Sequence, residues 1–207
     1  MGRRLAVLGT ALAIFGALVV SAVPAASSGE NGDDNGRGRT VRWDLVQFVS
    51  GVVLAGGTDV SEDAATGDVI MLTGSGHARP GARKAFGGGT FVHEQASGTT
   101  VQGAYHVTGF GNWRRIFEGS FAATGLIDGI ANADGATSGV LRVRVRLIPE
   151  VGGQPGEGVN GVLTIFCRLP GATVGFAEGV RLRIPSLGLD FVQHETMAGF
   201  TLFHVIA

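Results

Sequence analysis

Short apolar stretches alternate with polar residues along the chain from Val41 onward, and the period of this pattern is two residues. Between positions 140 and 148, four apolar residues alternate with Arg142, Arg144 and Arg146. Successive side chains of a β-strand point to opposite faces, so such a segment turns one face to a core and the other to solvent. Beyond Val41 the apolar residues nowhere keep a helical spacing over three turns. The pattern predicts an all-β fold.

Ten segments carry this strand signal. They are Val41 to Val49, Asp68 to Thr73, Thr90 to Glu94, Thr99 to Thr108, Trp113 to Phe121, Val140 to Ile148, Gly161 to Leu169, Val180 to Ile184, Leu189 to His194 and Phe200 to Ile206. Turn-forming residues separate them, and no helical segment intervenes, which favours antiparallel neighbours. Residues 95–98 are predicted to form a hairpin loop, and residues 87–89, all glycine, to form a bulge or to let another strand approach closely. We predict one antiparallel β-barrel or β-sandwich domain of about ten short strands.

The first 40 residues differ from the rest of the chain. Arg3 and Arg4 precede an apolar run that ends in small residues, which is the pattern of a secretory signal peptide cleaved after Ala25. Residues 26–40 contain two Asn-Gly pairs and no large apolar side chain, so we predict a disordered leader. The predicted organisation is a signal peptide over residues 1–25, a leader over 26–40 and an all-β domain over 41–207.

This organisation predicts a secreted, extracellular protein, and the abundance of glycine and alanine is typical of a bacterial one. The alternative is that Leu5 to Val23 stays in place as a membrane anchor. No later segment is long and apolar enough to span a membrane. Removal of residues 1–25 takes away two arginines and no acid, so the formal net charge of −1 becomes about −3.

The composition excludes several classes of protein. Glycine supplies 36 of the 207 residues, but no Gly-x-y period is present, which excludes collagen. Two tryptophans, one tyrosine and a net charge of −1 give nucleic acid no basic, aromatic surface, so we predict no nucleic-acid partner. The 12 phenylalanines are expected in the core. Cys167 is the only cysteine, and its apolar strand face predicts a buried, inert thiol.

No motif predicts catalysis, a metal ion or a cofactor. The five histidines form no closely spaced pair, and neither a serine-hydrolase elbow nor a phosphate-binding loop is present. Acidic residues cluster at 59–68 and at 128–135, where turn formation by Asp and Asn is favoured over calcium binding. His93 is predicted to pair near Val101, and His106 to point outward. His93, Tyr105 and His106 would form a ligand site only if a barrel turned all three towards a lumen.

Five arginines are the most distinctive candidate binding group. Arg142, Arg144 and Arg146 share the outward face of one predicted strand, and Arg181 and Arg183 that of another. If the two strands are neighbours, their guanidinium groups form one patch. Arginine binds carboxylate, sulfate and phosphate groups in a bidentate manner, so the predicted partner is an anionic extracellular ligand. The alternative is a solubilising surface with interleaved acids.

We therefore expect a secreted, non-catalytic β-domain that acts as an extracellular or cell-envelope binding or structural module. The first alternative is a β-barrel with a lumenal site for a small apolar molecule. Such a barrel would be a carrier or an enzyme of the dirigent or allene oxide cyclase kind, an analogy at the level of the fold only. A metal-dependent enzyme is the second alternative, and it predicts stoichiometric metal in the purified protein.

Overall fold

The structure is a computed structural model that describes residues 39–194 and 199–206, and these residues form an all-β domain. The strands are β1 (Thr40–Val49), β2 (Val52–Ala55), β3 (Thr58–Asp63), β4 (Asp68–Thr73), β5 (Ser75–Arg79), β6 (Lys84–Glu94), β7 (Thr100–Ile116), β8 (Ile127–Asp128), β9 (Ala136–Val151), β10 (Gln154–Pro155), β11 (Val159–Cys167), β12 (Gly179–Ile184), β13 (Leu189–Gln193) and β14 (Phe200–Ile206). Four single-turn 3-10 helices join strands, at Pro80–Ala82, Ala122–Thr124, Ala133–Gly135 and Pro185–Leu187, and the described residues contain no α-helix. The predicted signal peptide and all but the end of the predicted leader lie outside the described residues.

Backbone pairing closes the strands into a barrel, which decides between the two predicted architectures. Ten strands follow one another in the order β1, β5, β6, β4, β3, β13, β12, β11, β9 and β14, and β14 pairs again with β1. Every pair in this ring is antiparallel, as the sequence predicts. β7 pairs with both β6 and β9, while β2 and β8 form a short parallel pair beside the ring.

β4 and β5 form one extended run along β6 that is interrupted only at Gly74. Leu72 lies opposite Phe91 and Ser75 lies opposite Gly88, so the register along β6 does not change. The other edge of this run is divided, because β4 pairs with β3 whereas β5 pairs with β1. The barrel wall therefore splits into two branches, which meet again at β9 through β11 and β14.

Two glycines make room for the largest side chain of the interior. A β-carbon at Gly76 would lie 2.7 Å from Nε1 of Trp43, and one at Gly87 would lie 3.0 Å from Cζ2 of the same indole. Trp43 is fully buried. The close approach predicted for the triple-glycine segment is therefore confirmed at Gly87, and it serves to pack an indole against two strands.

Alternating residues of the ring fill the barrel interior. On β9 the apolar residues between the arginines are all buried, and the interior also holds Phe191, Phe203, Leu163 and Ile165, each less than 2% exposed. Cys167 belongs to the same core, as predicted, and burial raises the pKa of its thiol. The buried apolar side chains form one continuous core cluster.

Several segments differ from the sequence-based prediction, and the short strands β2, β8 and β10 lie outside the ten predicted segments. Residues 113–116 continue β7 beyond two bulges, so two predicted strands are one, and the predicted strand to Phe121 stops short at Ile116. β3 was missed because its buried positions are Asp59, Ser61 and Asp63, which reverses the usual apolar-inside pattern. β5 was not among the predicted strands, because its inward positions are the small residues Gly76 and Ala78.

Phenylalanine does not follow the prediction uniformly. Phe86 and Phe117 are 57% and 83% exposed, and the Arg115 guanidinium covers the ring of Phe117 at 4.5 Å. Phe48 and Phe200 are also about half exposed and pack edge to face, with 4.8 Å between ring centroids. The core therefore contains only part of the phenylalanine complement.

A loop segment, residues 117–135, is fixed to the outer face of β14. Oδ2 of Asp128 lies 2.6 Å from Nε2 of His204, and both side chains are almost completely buried. Next to this pair on the neighbouring strand, Arg42 lies opposite His204 and donates two hydrogen bonds to the buried Asp44, at 2.8 and 3.0 Å. His204 is thus fully buried and hydrogen-bonded through Nε2.

Candidate functional site

The five candidate arginines lie on the outer surface of the barrel, but on strands that are not direct neighbours. β11 separates β9 from β12, with Thr164 opposite both Arg142 and Arg181, and Val162 opposite both Arg144 and Arg183. Two inter-strand spacings place the two arginine rows roughly 10 Å apart. We name Arg142, Arg144, Arg146, Arg181 and Arg183 the arginine face.

The two rows of the arginine face differ in their partners. On β12, Arg181 makes a bidentate contact to Asp190, with distances of 2.8 and 2.5 Å, and this hydrogen bonding lowers the pKa of Asp190. On β9, none of the three arginines makes a hydrogen bond or ion pair with another residue in the described ranges. The β9 row is therefore the part of the face with unused guanidinium donors.

Glycines and a shallow cavity lie beside the β9 arginines. A β-carbon at Gly109 would lie 2.4 Å from Nη2 of Arg144, and one at Gly158 would lie 2.7 Å from Nε of Arg146. The absence of side chains at these glycines lets both arginines lie flat across neighbouring backbone. A cavity of about 320 Å³ is lined in part by Arg144 and Asn160. The row thus borders a surface depression that small anionic groups can enter.

The other three candidate residues do not converge on a lumenal site. His93 lies opposite Val101, as predicted; its Nε2 is 2.8 Å from Oδ2 of Asp68, and its ring packs against the core. Tyr105 points inward and donates a hydrogen bond of 2.8 Å to the carbonyl of Thr73, and burial raises its pKa. His106 is exposed on the opposite face of the same strand, across from an arginine of β9.

Two acidic residues that the sequence did not single out as a pair come together where the barrel wall splits. Asp59 is fully buried on β3, and its Oδ2 has no hydrogen-bond partner among the described residues. Burial raises the pKa of Asp59 to about 7, and the charge of Glu178 acts in the same direction. Hydrogen bonds from the main chain of Val180 and from Ser61 only partly offset this effect.

Glu178, at the other side of this split, holds two segments together. Its Oε1 accepts hydrogen bonds of 2.9 Å from the main-chain N–H and from the hydroxyl of Thr201, and its Oε2 accepts one from the main-chain N–H of Arg168. Burial nevertheless raises the pKa of Glu178 to about 7. Position 178 appeared in the sequence only as one of several scattered acids, because neither its burial nor its closeness to Asp59 has a local signature.

A lateral pocket of about 450 Å³ opens beside Glu178, outside the barrel interior. It lies against the face of β1 and β14 that carries Val46 and Leu202, opposite the face that carries Trp43 and Phe203. Its other walls come from residues 121–126 and 168–170. Pockets of 300–1,000 Å³ that are mostly apolar and contain a few polar groups are typical small-molecule sites. The sequence carries no signal for this pocket, because Phe48 and Phe200 at its edge are expected in the core like the other phenylalanines.

The acidic clusters considered for calcium form turns. Oδ1 of Asp63 accepts the N–H groups of Ala65 and Thr66, and Oδ1 of Asp128 accepts those of Ile130 and Ala131. Within residues 39–194 and 199–206, no group of three or more His, Cys, Asp or Glu side chains is arranged to hold a metal ion.

No helix within the described part of the chain is long and apolar enough to cross a membrane. Comparisons with protein-family models, curated proteins and solved structures give no match for this chain.

Proposed function

We propose that this protein is exported and that its β-barrel is a non-catalytic module that binds an acidic polysaccharide through the arginine face. The single observation that supports the proposal most strongly is the row of Arg142, Arg144 and Arg146, which no acid neutralises in the described residues. Alternate residues of a strand are roughly 7 Å apart, so the row presents guanidinium groups at regular intervals along one line. A polymer with repeated carboxylate or sulfate groups suits such a row.

The surroundings of the row support the same ligand class. Arg114 and His106 are exposed on β7 next to β9, and Arg183 is exposed on β12, whereas Asp190 already binds Arg181. Export rests on the pattern of residues 1–25. A mature net charge of about −3 makes general attraction to an anionic polymer unfavourable, so binding has to come from the local arrangement of charges.

The test compares two triple variants that carry the same net charge. The first replaces Arg142, Arg144 and Arg146 by Gln. The second replaces three basic residues of the exposed β5–β6 connection, Arg79, Arg83 and Lys84, by Gln. Both are applied to immobilised heparin at low salt, where exposed charges are least screened. We expect the wild type and the second variant to be retained and eluted by salt, and the first variant to pass through.

A circular dichroism spectrum and an unfolding midpoint for each variant check that the fold is kept. Exposed substitutions usually change the unfolding free energy by less than about 0.5 kcal/mol. If both variants lose retention equally, the interaction reports charge in general and the arginine face has no special role. Retention of the first variant at the wild-type salt concentration also contradicts the proposal.

A further inference from the structure

The lateral pocket beside Glu178 has an inner wall of buried residues and an edge of exposed ones. Val46, Val53 and Leu202 form its inner wall and are 5%, 2% and 3% exposed. Phe48 and Phe200, which are about half exposed, form the aromatic pair at its edge. Apolar surface left exposed beside a cavity is stabilised when a ligand covers it, which favours an apolar ligand body.

The polar end of the pocket has one unused donor group. The Glu178 oxygens already accept three hydrogen bonds, two from Thr201 and one from the main chain of Arg168. The Arg168 side chain also lines the pocket, is exposed and makes no hydrogen bond or ion pair within the described ranges. A guanidinium group has five N–H donors and binds a carboxylate in a bidentate manner. The Arg168 guanidinium also attracts the Glu178 carboxylate, so this end of the pocket is complementary to an added anion while Glu178 is protonated.

We infer that the lateral pocket binds a small amphiphile with an apolar chain and a carboxylate head, such as a fatty acid. The chain lies between the β1–β14 face and residues 121–126, and the head contacts the Arg168 guanidinium. This site is separate from the arginine face: its charged group is a single arginine at the end of an apolar cavity, whereas the face is an open polar surface.

Glu178 is compatible with an anionic head at mildly acidic pH. Because burial raises its pKa to about 7, the carboxyl is largely uncharged at pH 6 and repels a bound carboxylate only at higher pH. Among the described residues, the other charged or titratable groups that interact with it are Arg168, Asp59 and Cys167. Asp59 also loses its proton near pH 7, so it acts in the same direction. We therefore expect the carboxylate ligand to bind more tightly at pH 6 than at pH 8.

The test uses cis-parinaric acid, whose fluorescence rises in apolar surroundings, and its methyl ester as the uncharged counterpart. In titrations at pH 6, we expect Arg168→Gln to weaken binding of the acid at least about tenfold and to leave the ester unchanged, because a charge-assisted hydrogen bond is lost. Phe200→Ala is expected to weaken both probes by about threefold or more, because it removes apolar contact. Arg79→Gln, which removes one charge on the β5–β6 connection, is the matched control.

Arg168→Gln keeps the main-chain N–H that holds Glu178, and Phe200 is exposed, so both variants should fold; circular dichroism checks this. Absence of a fluorescence rise with either probe overturns the proposal. Equal binding of acid and ester, with no effect of Arg168→Gln, overturns the anionic head. A loss of acid binding in Arg79→Gln as large as in Arg168→Gln overturns the assignment of the head to Arg168.

Discussion

Replacement of Asp59 by Asn should stabilise the barrel at pH 8. The carboxyl is fully buried and its Oδ2 has no hydrogen-bond partner in the described residues, so ionisation places a charge in a site that solvates it only in part. Asn has the same shape and carries no charge. The variant removes the free-energy cost of ionisation and keeps the packing of β3 against its neighbours.

The size of the effect follows from the pKa of Asp59, which burial raises from its ordinary value of 3.8 to about 7 in the folded protein. Each pKa unit corresponds to about 1.4 kcal/mol, so the full difference is on the order of 4 kcal/mol. Between pH 4 and pH 7 the folded state holds a proton that the unfolded chain has lost, so the unfolding free energy falls as the pH rises. Above pH 7 the cost is complete. Relaxation around the charge reduces it, and we expect Asp59→Asn to gain about 1–3 kcal/mol at pH 8 and little at pH 4.

Urea unfolding followed by tryptophan fluorescence at several pH values between 4 and 8 measures this effect. The wild type should lose stability as the pH rises towards 8, and the slope should be smaller in Asp59→Asn. Glu178 adds slope in the same direction, whereas burial lowers the pKa of His77, which adds slope of the opposite sign below about pH 6.5. Asp190→Asn is the control of opposite sign, because Arg181 lowers the pKa of Asp190 and an ionised Asp190 favours folding. The reasoning fails if Asp59→Asn is less stable than the wild type at pH 8, or if its slope is unchanged.

Two further predictions concern buried contacts elsewhere in the barrel. Asp128→Ala should lower the unfolding free energy by about 2–3 kcal/mol in urea titrations, because Nε2 of buried His204 loses its hydrogen-bond partner. Asp128→Asn keeps Oδ1 as an acceptor for the N–H groups of the turn and should lose less; equal losses would show that this acceptor contributes little. Gly76→Ala should lower the thermal unfolding midpoint and shift the fluorescence emission of buried Trp43 to longer wavelength. The new β-carbon would lie 2.2 Å from the Phe86 carbonyl oxygen and 2.7 Å from the indole nitrogen, so the strands have to move apart. A midpoint equal to that of the wild type would show that the strands separate at little cost in free energy.

Local alternation was sufficient where an ordinary strand has apolar residues on its buried face. The outward direction of Arg142 and Arg181 and the exposure of His106 follow from a side-chain period of two, and the pairing of His93 with Val101 follows from the hairpin loop at 95–98. It was misleading on β3 and β5, where the inward residues are acidic, hydroxyl-bearing or very small. A pattern of hydrophobicity cannot identify a strand whose buried face is polar.

By itself, then, the sequence determined the all-β class, the antiparallel pairing and which side of each regular strand faces solvent, because these properties depend on residues next to each other in the chain. The tertiary structure alone decided that the sheet closes, that β11 lies between the arginine rows, and that Asp59 and Glu178 share one site beside a pocket. Those outcomes depend on the register between segments far apart in the chain, and on a burial that no neighbouring residue encodes.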